Sequence, residues 1–248
     1  MHSVVAAALV VVAAVPAATQ SLQPFFPVGI VVGPPAGVVP DRRELQSLAK
    51  MRFNVIALSD TDGRDLRVVR LSALLDREPG RVPDAIPAAG LSLVSTWNSG
   101  REVRLSAWRN VAEGARGVLF AAGIVSPQNE GALAAAAEFA DNVTRNAALF
   151  APLRPRESAG GVRVNGERTT VEARILESNA ALVVIAWNPG SDIQRVTLRF
   201  TDEFPEAIWQ NMETGAAVNF VASPQGPIYT RTFTAFDVIV LMIRKQYR

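Results

Sequence analysis

The sequence predicts an α/β region joined to an all-β region, and two changes of pattern along its 248 residues carry that reading. Up to Arg156, short apolar β-prone runs alternate with stretches whose apolar residues recur at helical spacing. From Val162 onward, short strands follow one another between turns, and the helical period is gone. Ser106 to Phe120 shows the first pattern in one line. Trp108, Val111, Ala112 and Ala115 recur at helical spacing, Gly114 and Gly117 punctuate the exit, and Val118-Leu119-Phe120 is short and apolar.

In chain order, Pro27 to Val32 is predicted as a buried strand, and Gly33-Pro34-Pro35-Ala36-Gly37 as a loop that cannot be helical. Asp41 is an N-cap for a helix to about Met51, with Leu45, Leu48 and Ala49 on one face. Asn54 to Leu58 is the next strand. Strand, helix and strand in that order make a βαβ crossover with parallel strands and a right-handed connection. Ser59-Asp60-Thr61-Asp62-Gly63 reads as a turn, and Leu66 to Leu75 as a helix bearing Val68, Val69, Leu71, Leu74 and Leu75, stopped by Glu78-Pro79-Gly80. Val82 to Ala89 reads as a surface loop or a short turn of helix. Leu91 to Thr96 is a third strand, Trp97-Asn98-Ser99-Gly100 its exit, Glu102 to Glu113 a helix, and Gly117 to Ala121 a fourth strand. Asn129 to Phe150 is the longest predicted helix, and Pro152 and Pro155 close the region.

The second region is predicted as strands at Val162 to Val164, Thr170 to Leu176, Ala181 to Asn188, Arg195 to Phe200, Glu206 to Gln210, Ala217 to Val221, Thr230 to Phe233 and Val238 to Ile243. Turns at Asn165-Gly166, Asn188 to Ser191 and Thr214-Gly215 separate them. Short strands at this spacing predict an antiparallel β-sandwich. The expected boundaries are a leader over 1–19, an α/β domain over 24–156 and a β-sandwich domain over 160–248.

Composition narrows the function classes. A hydrophobic content of 49% supports a sizeable core and argues against disorder. With 25 basic against 23 acidic residues and no basic cluster interleaved with aromatics, nucleic acid is not an expected partner. There is no cysteine, and the single histidine is His2. Thiolate sites and disulfides are therefore excluded, and so, once the leader is removed, are His-based zinc sites and a Ser-His-Asp triad. Gly33 to Gly37 lacks the Gly-Lys-Ser/Thr of a phosphate cradle, so no cofactor is expected. Met1 to about Thr19 has an apolar run from Val4 to Val15 and a small-residue exit, the shape of a secretory signal, although its start lacks Lys and Arg. That run is shorter than the ~20 residues a span needs. The mature chain is accordingly expected to be secreted or periplasmic, without a membrane span.

The helix that ends in Gly114-Ala115-Arg116-Gly117 and leads into Val118-Leu119-Phe120 resembles the late part of the catalytic barrel in glycoside hydrolases of the β-galactosidase type and their relatives. Phe26-Pro27-Val28-Gly29-Ile30, followed by Glu44-Leu45 and Lys50-Met51-Arg52-Phe53-Asn54-Val55-Ile56, resembles the opening of such barrels. Leu182 to Pro189, Trp209 to Gly215 and Phe236 to Leu241 resemble the β domain that follows the barrel. The resemblance implies a TIM-barrel catalytic domain, a C-terminal β-sandwich and a carbohydrate substrate. A closed barrel takes about 250 residues, and Pro27 to Pro155 supplies about half of that, in about four strand-helix units. By resemblance, Phe26 to about Ser59 corresponds to the barrel's opening and Leu91 to Phe150 to its end. The expected fold is therefore α/β plus all-β, a truncated (β/α) barrel-like domain followed by an antiparallel β-sandwich.

Glycoside cleavage uses two carboxyl groups about 5 to 10 Å apart across the sugar, carried in a barrel beyond the carboxyl ends of strands. The first strand exits into Gly33-Pro34-Pro35, the third into Trp97-Asn98 and the fourth into Ala121 to Val125, none of them acidic. Only the second delivers carboxylates, Asp60 and Asp62. Glu102 and Glu130 are the candidate partners, each also placed to serve the first turn of a helix. Trp97 with Asn98 is the candidate sugar contact, by ring stacking and hydrogen bonding. The ordinary readings are a capped turn for Asp60 and Asp62, a rim aromatic for Trp97, core packing for Trp108, Trp187 and Trp209, and a structural cation at strand-end carbonyls for Arg116. Asn142-Val143-Thr144 fits a glycosylation sequon but lies mid-helix. No catalytic pair carries over from the family.

Three readings follow. The first is an exported glycoside-hydrolase-like protein without a complete carboxylate pair that binds carbohydrate. The second is an active glycosidase using Asp60 or Asp62 with Glu102 or Glu130, either alone or as an oligomer, and the third is a structural or interaction protein of the cell envelope. The open flank of a half-barrel would be covered in a homodimer.

Overall fold

The computed structural model describes residues 24–32, 40–59, 66–76, 83–156, 161–201 and 209–244. The leader, the Gly33 to Gly37 loop, Asp60, Asp62 and Glu78 to Gly80 lie outside the described residues. The α/β half contains β1 (Val28–Val32), α1 (Arg42–Lys50), β2 (Val55–Ser59), β3 (Leu66–Arg70), α2 (Leu71–Leu75), β4 (Ala85–Ile86), β5 (Leu91–Val94), α3 (Gly100–Ala112), β6 (Gly117–Phe120), α4 (Glu130–Arg145) and α5 (Ala147–Phe150). The β half contains β7 (Arg154–Pro155), β8 (Val162–Asn165), β9 (Glu172–Glu177), β10 (Ala181–Trp187), β11 (Gln194–Phe200), β12 (Trp209–Asn211), β13 (Ala217–Val218), β14 (Ile228–Phe233) and β15 (Val238–Arg244).

The α/β half builds one six-stranded mixed sheet in the order β4-β3-β2-β1-β6-β5. β5, β6, β1 and β2 are mutually parallel, while β3 and β4 join antiparallel. The first described strand, β1, thus lies beside β6, the last described strand of this half. Alternation along the strands gives the sheet two apolar faces. Val28, Ile30, Ile56, Val69, Val118 and Phe120 face Leu45 and Leu48 of α1, Trp108 and Val111 of α3, and Phe139 of α4 in one cluster. Val55, Ala57, Val68 and Leu119 make a smaller cluster on the opposite face.

Leu66 to Leu75 departs from the helical expectation. Its first half is strand β3, with Ile56 opposite Val69 and Ala57 opposite Val68, and only Leu71 onward is helical. Adjacent β-branched Val68 and Val69 bury one side chain on each face of the sheet, and this pairing overrides the helical spacing of the leucines. Ala85–Ile86, expected in a surface loop or a short turn of helix, pairs with β3. The predicted long helix breaks at Asn146 into α4 and α5.

Two antiparallel sheets form the β half, one ordered β13-β12-β15-β10-β9-β7 and one ordered β14-β11-β8. Leu182, Val184, Ala186, Ile239 and Leu241 of the first share a cluster with Val196, Leu198, Phe200 and Phe233 of the second. Their neighbours on the other face, Val183, Ile185, Trp187, Val238, Val240 and Met242, belong to the same cluster as α3 and α4. The helical layer is therefore covered by a sheet on each side, and one core runs through both halves.

A charged clamp reinforces that junction. Arg104 of α3 donates from Nε to Glu213 at 2.7 Å, pairs with it again through Nη2, and donates to the Val238 carbonyl at 2.8 Å. Trp108 Nε1 donates to the same Glu213 at 3.1 Å, and Arg231 donates to Asp237, a second acid near Arg104, at 2.7 Å. Burial pulls the Arg104 guanidinium down, but the hydrogen bond and charge of Glu213, with Asp237 and Glu138, outweigh it and hold the group above its ordinary value. While those carboxylates are ionised, the raised cation stabilises the fold at pH values below its unfolded value, and the loss on the alkaline side begins only in strong alkali.

Two helices end in the same hydrogen-bonding motif. At α3, Gly114 at φ +97 donates to Val111 O and Ala115 to Asn110 O. At α1, Arg52 at φ 67 donates to Ala49 O and Phe53 to Leu48 O. Both are Schellman endings, and the second places a β-carbon where glycine is favoured. Asn54 then completes the β1/β2 ladder with its side chain, accepting from Val28 N–H at 2.8 Å and donating to Phe26 O at 2.9 Å.

Arg52→Gly is expected to stabilise the protein by about 0.5 to 1 kcal/mol, a rise of about 1 to 4 °C in Tm, while Gly114→Ala lowers stability by about 1 to 2 kcal/mol. Thermal unfolding of both variants checks this, and an unchanged or lower Tm for Arg52→Gly contradicts the strain. Arg104→Met and Glu213→Met are each expected to cost about 3 kcal/mol by stranding a buried charge, and the double variant less than their sum by at least about 1 kcal/mol. Additive losses in urea unfolding would show that the pair is uncoupled.

Candidate functional site

β5 leaves the sheet through Ser95-Thr96-Trp97-Asn98 to Ser99, the N-cap of α3. The Ser99 hydroxyl accepts from Glu102 N–H at 3.3 Å, and the Glu102 carboxylate turns back to accept from Asn98 N–H at 2.6 Å. Ser99 thus satisfies one donor that the helix start leaves open, and Glu102 ties the residue before the cap back to the first turn. Trp97 is half-buried against the helix-face core, and Asn98 is exposed.

Glu130 opens α4 and is exposed. The two helix starts touch, since a Cβ on Gly100 would stand 2.5 Å from the Gly131 carbonyl oxygen. Glu102 and Glu130 therefore sit on adjoining helix N-termini, one engaged in capping and one at the surface. Asp60 and Asp62, the remaining carboxylate candidates, lie outside the described residues. Arg116 is exposed, with its stem lying against Gly90. Asn142 of the sequon is buried in α4.

A cavity of about 530 Å³ opens beyond β1, between α1, the turn after β6 and α4. Its walls are apolar, from Ile30, Val32, Leu48, Met51, Val125 and Leu133, and α1 contributes Arg43, Glu44 and Ser47. Glu44 already accepts from Asp41 N–H at 3.0 Å in a capping box. Such a cavity suits an apolar group; among the described residues it carries one carboxylate, Glu44.

The carboxylates that do converge among the described residues are Glu213 and Asp237, both on Arg104 and both nearly buried, where they hold the two halves together. Sequence reasoning did not single them out, because their shared partner Arg104 lies more than a hundred residues away along the chain. Among the described residues no group of three or more His, Asp or Glu is placed to hold a metal ion, and no helix is long and apolar enough to cross a membrane.

No protein-family model and no curated protein matches the sequence. Among solved structures, a noncanonic maltogenic alpha-amylase from Thermotoga neapolitana aligns at 11% identity and TM-score 0.44, over 63% of this chain and 41% of that one. A GH30 endoxylanase from Clostridium papyrosolvens aligns at 8% identity and TM-score 0.38, over 62% and 42%. An alpha-fucosidase from Thermotoga maritima aligns at 12% identity and TM-score 0.35, over 61% and 39%. The chain spans about two fifths of each of these neighbours, and at such scores the likeness fixes neither activity nor substrate.

Proposed function

We propose that this chain is an exported, glycoside-hydrolase-like protein that keeps part of a sugar-cleaving barrel and contacts carbohydrate without hydrolysing it. The observation that carries the reading is the parallel pairing of β1 with β6, Val28 opposite Val118 and Ile30 opposite Phe120. In spatial order β5, β6, β1 and β2 step in one direction, with α1, α3 and α4 packed on one face. A closed (β/α)8 barrel has that arrangement at its seam, where the last strand meets the first. The sequence resemblance of Phe26 to Ile56 and of Gly114 to Phe120 to the two ends of such a barrel falls on these same strands.

The want of hydrolysis rests on the chemistry of the strand exits. Glu102 is bound to the Asn98 backbone, Glu130 stands at a helix start, and the exits of β1, β5 and β6 supply no acid of their own. Trp97 and Asn98 at the β5 exit are the proposed sugar contacts, an aromatic face beside an amide.

Two assays on one preparation test the proposal. A panel of aryl glycosides is expected to show no turnover, and electrophoresis through polysaccharide-containing gels is expected to show retardation that Trp97→Ala abolishes. Turnover that disappears in Asp60→Asn, Asp62→Asn, Glu102→Gln or Glu130→Gln would instead establish an active glycosidase. Migration unaffected by every polysaccharide would remove the carbohydrate role.

A further inference from the structure

An open sheet ends in strands whose unpaired peptide groups accept a further strand, and proteins blunt such edges with shortness, charge or proline. Among the described residues, five of the six sheet edges are blunted in this way. β4 and β13 are two residues long, β7 is Arg154-Pro155, and β8 and β14 carry Arg163 and Arg231. β5 differs: Leu91-Ser92-Leu93-Val94 has neither charge nor proline, and Leu93 is 48% exposed. The Gly90 and Val94 carbonyls accept from Arg116 and Ala121 at 2.8 and 3.0 Å, so the peptide groups of Leu93 and Ser95 turn to the open side.

The flank of α3 above this edge is open as well. Ser106, Arg109, Asn110 and Glu113 line a cavity of about 230 Å³ with Ser95 and Thr96. The opposite flank is occupied by α4, through Trp108 on Phe139 with ring centroids 4.9 Å apart. Edge and flank together leave room beside β5 for one more strand with a helix above it.

We propose that a second copy of this chain fills it, β5 pairing antiparallel with β5 of the copy about a two-fold axis normal to the sheet. Strands about 4.8 Å apart, with α3 above the β5/β6 gap, bring the two α3 helices about 10 Å apart, the ordinary packing distance. Charge complementarity favours a copy over an unrelated chain. Arg109 and Glu113 lie one turn apart on this flank, paired at 2.8 Å and each about half exposed. An antiparallel α3 sets Arg109 of each copy opposite Glu113 of the other, the reciprocity that an isologous contact requires. The sheet then runs continuously through the dimer, and Leu93 of each copy is covered near the axis.

This inference stands apart from the carbohydrate reading, and light scattering on the full chain eluting from a sizing column tests it. The expected mass is that of a dimer. Leu93→Lys and Arg109→Glu are each expected to weaken the dimer at least about tenfold, with circular dichroism unchanged, and Arg109→Glu with Glu113→Arg to restore it. A monomeric wild type, an assembly that grows without limit, a dimer indifferent to both single variants, or a double variant that stays monomeric would each overturn the proposal.

Discussion

Helix α3 is the constraint on which the rest depends, because it is buried from two sides. Val103, Leu105, Ala107, Trp108, Val111 and Ala112 are all buried, far more than one core-facing stripe. A helix apolar around most of its girth must be covered around most of its girth. The α/β sheet covers it on one side, and the face of the β half that carries Val183, Ile185 and Val240 covers it on the other. Where α3 cannot be wholly apolar, Arg104 and the Trp108 indole nitrogen meet Glu213, which offsets the cost of burying polar atoms there. The junction is thereby both greasy and specific: apolar burial supplies the affinity, and the clamp fixes the register of helix against sheet.

Much of this was legible where a local rule acts alone. Asp41 caps α1 and Gly114 ends α3 through backbone requirements that a single residue type meets. Asn54 was visible as a motif residue, but its task, replacing a strand residue in the β1/β2 ladder, needs the tertiary pairing to be seen. Arg52 lies in the same motif, but its residue type gave no sign of a positive φ, which follows from the chain path and not from the side chain. Leu66 to Leu75 misled because leucines spaced for a helix and paired valines suited to a strand occupy the same ten positions, and the neighbour β2 decides between them.

The shared core was written in the chain in a form that one-dimensional reading does not resolve. β10, Ala181 to Trp187, is buried at every position, and β15 is apolar from Val238 to Ile243. In an antiparallel sheet with one wet face such strands would alternate, so an unbroken apolar run means cover on both sides. It does not say by what. The candidate site met a similar limit: Trp97 was found from its place at a strand exit and Glu102 from its place in the helix turn beyond it, whereas the engagement of Glu102 with Asn98 N–H is a matter of rotamer and distance.

The central claim is that the two halves share one core and open as one unit. Native-state hydrogen exchange in rising denaturant tests it most directly, comparing amides of β6 and α3 with amides of β10 and β15. The account predicts that both sets merge onto a single isotherm with the same free energy and denaturant slope. Two separate isotherms, with β10 and β15 still protected after β6 and α3 have opened, would contradict it.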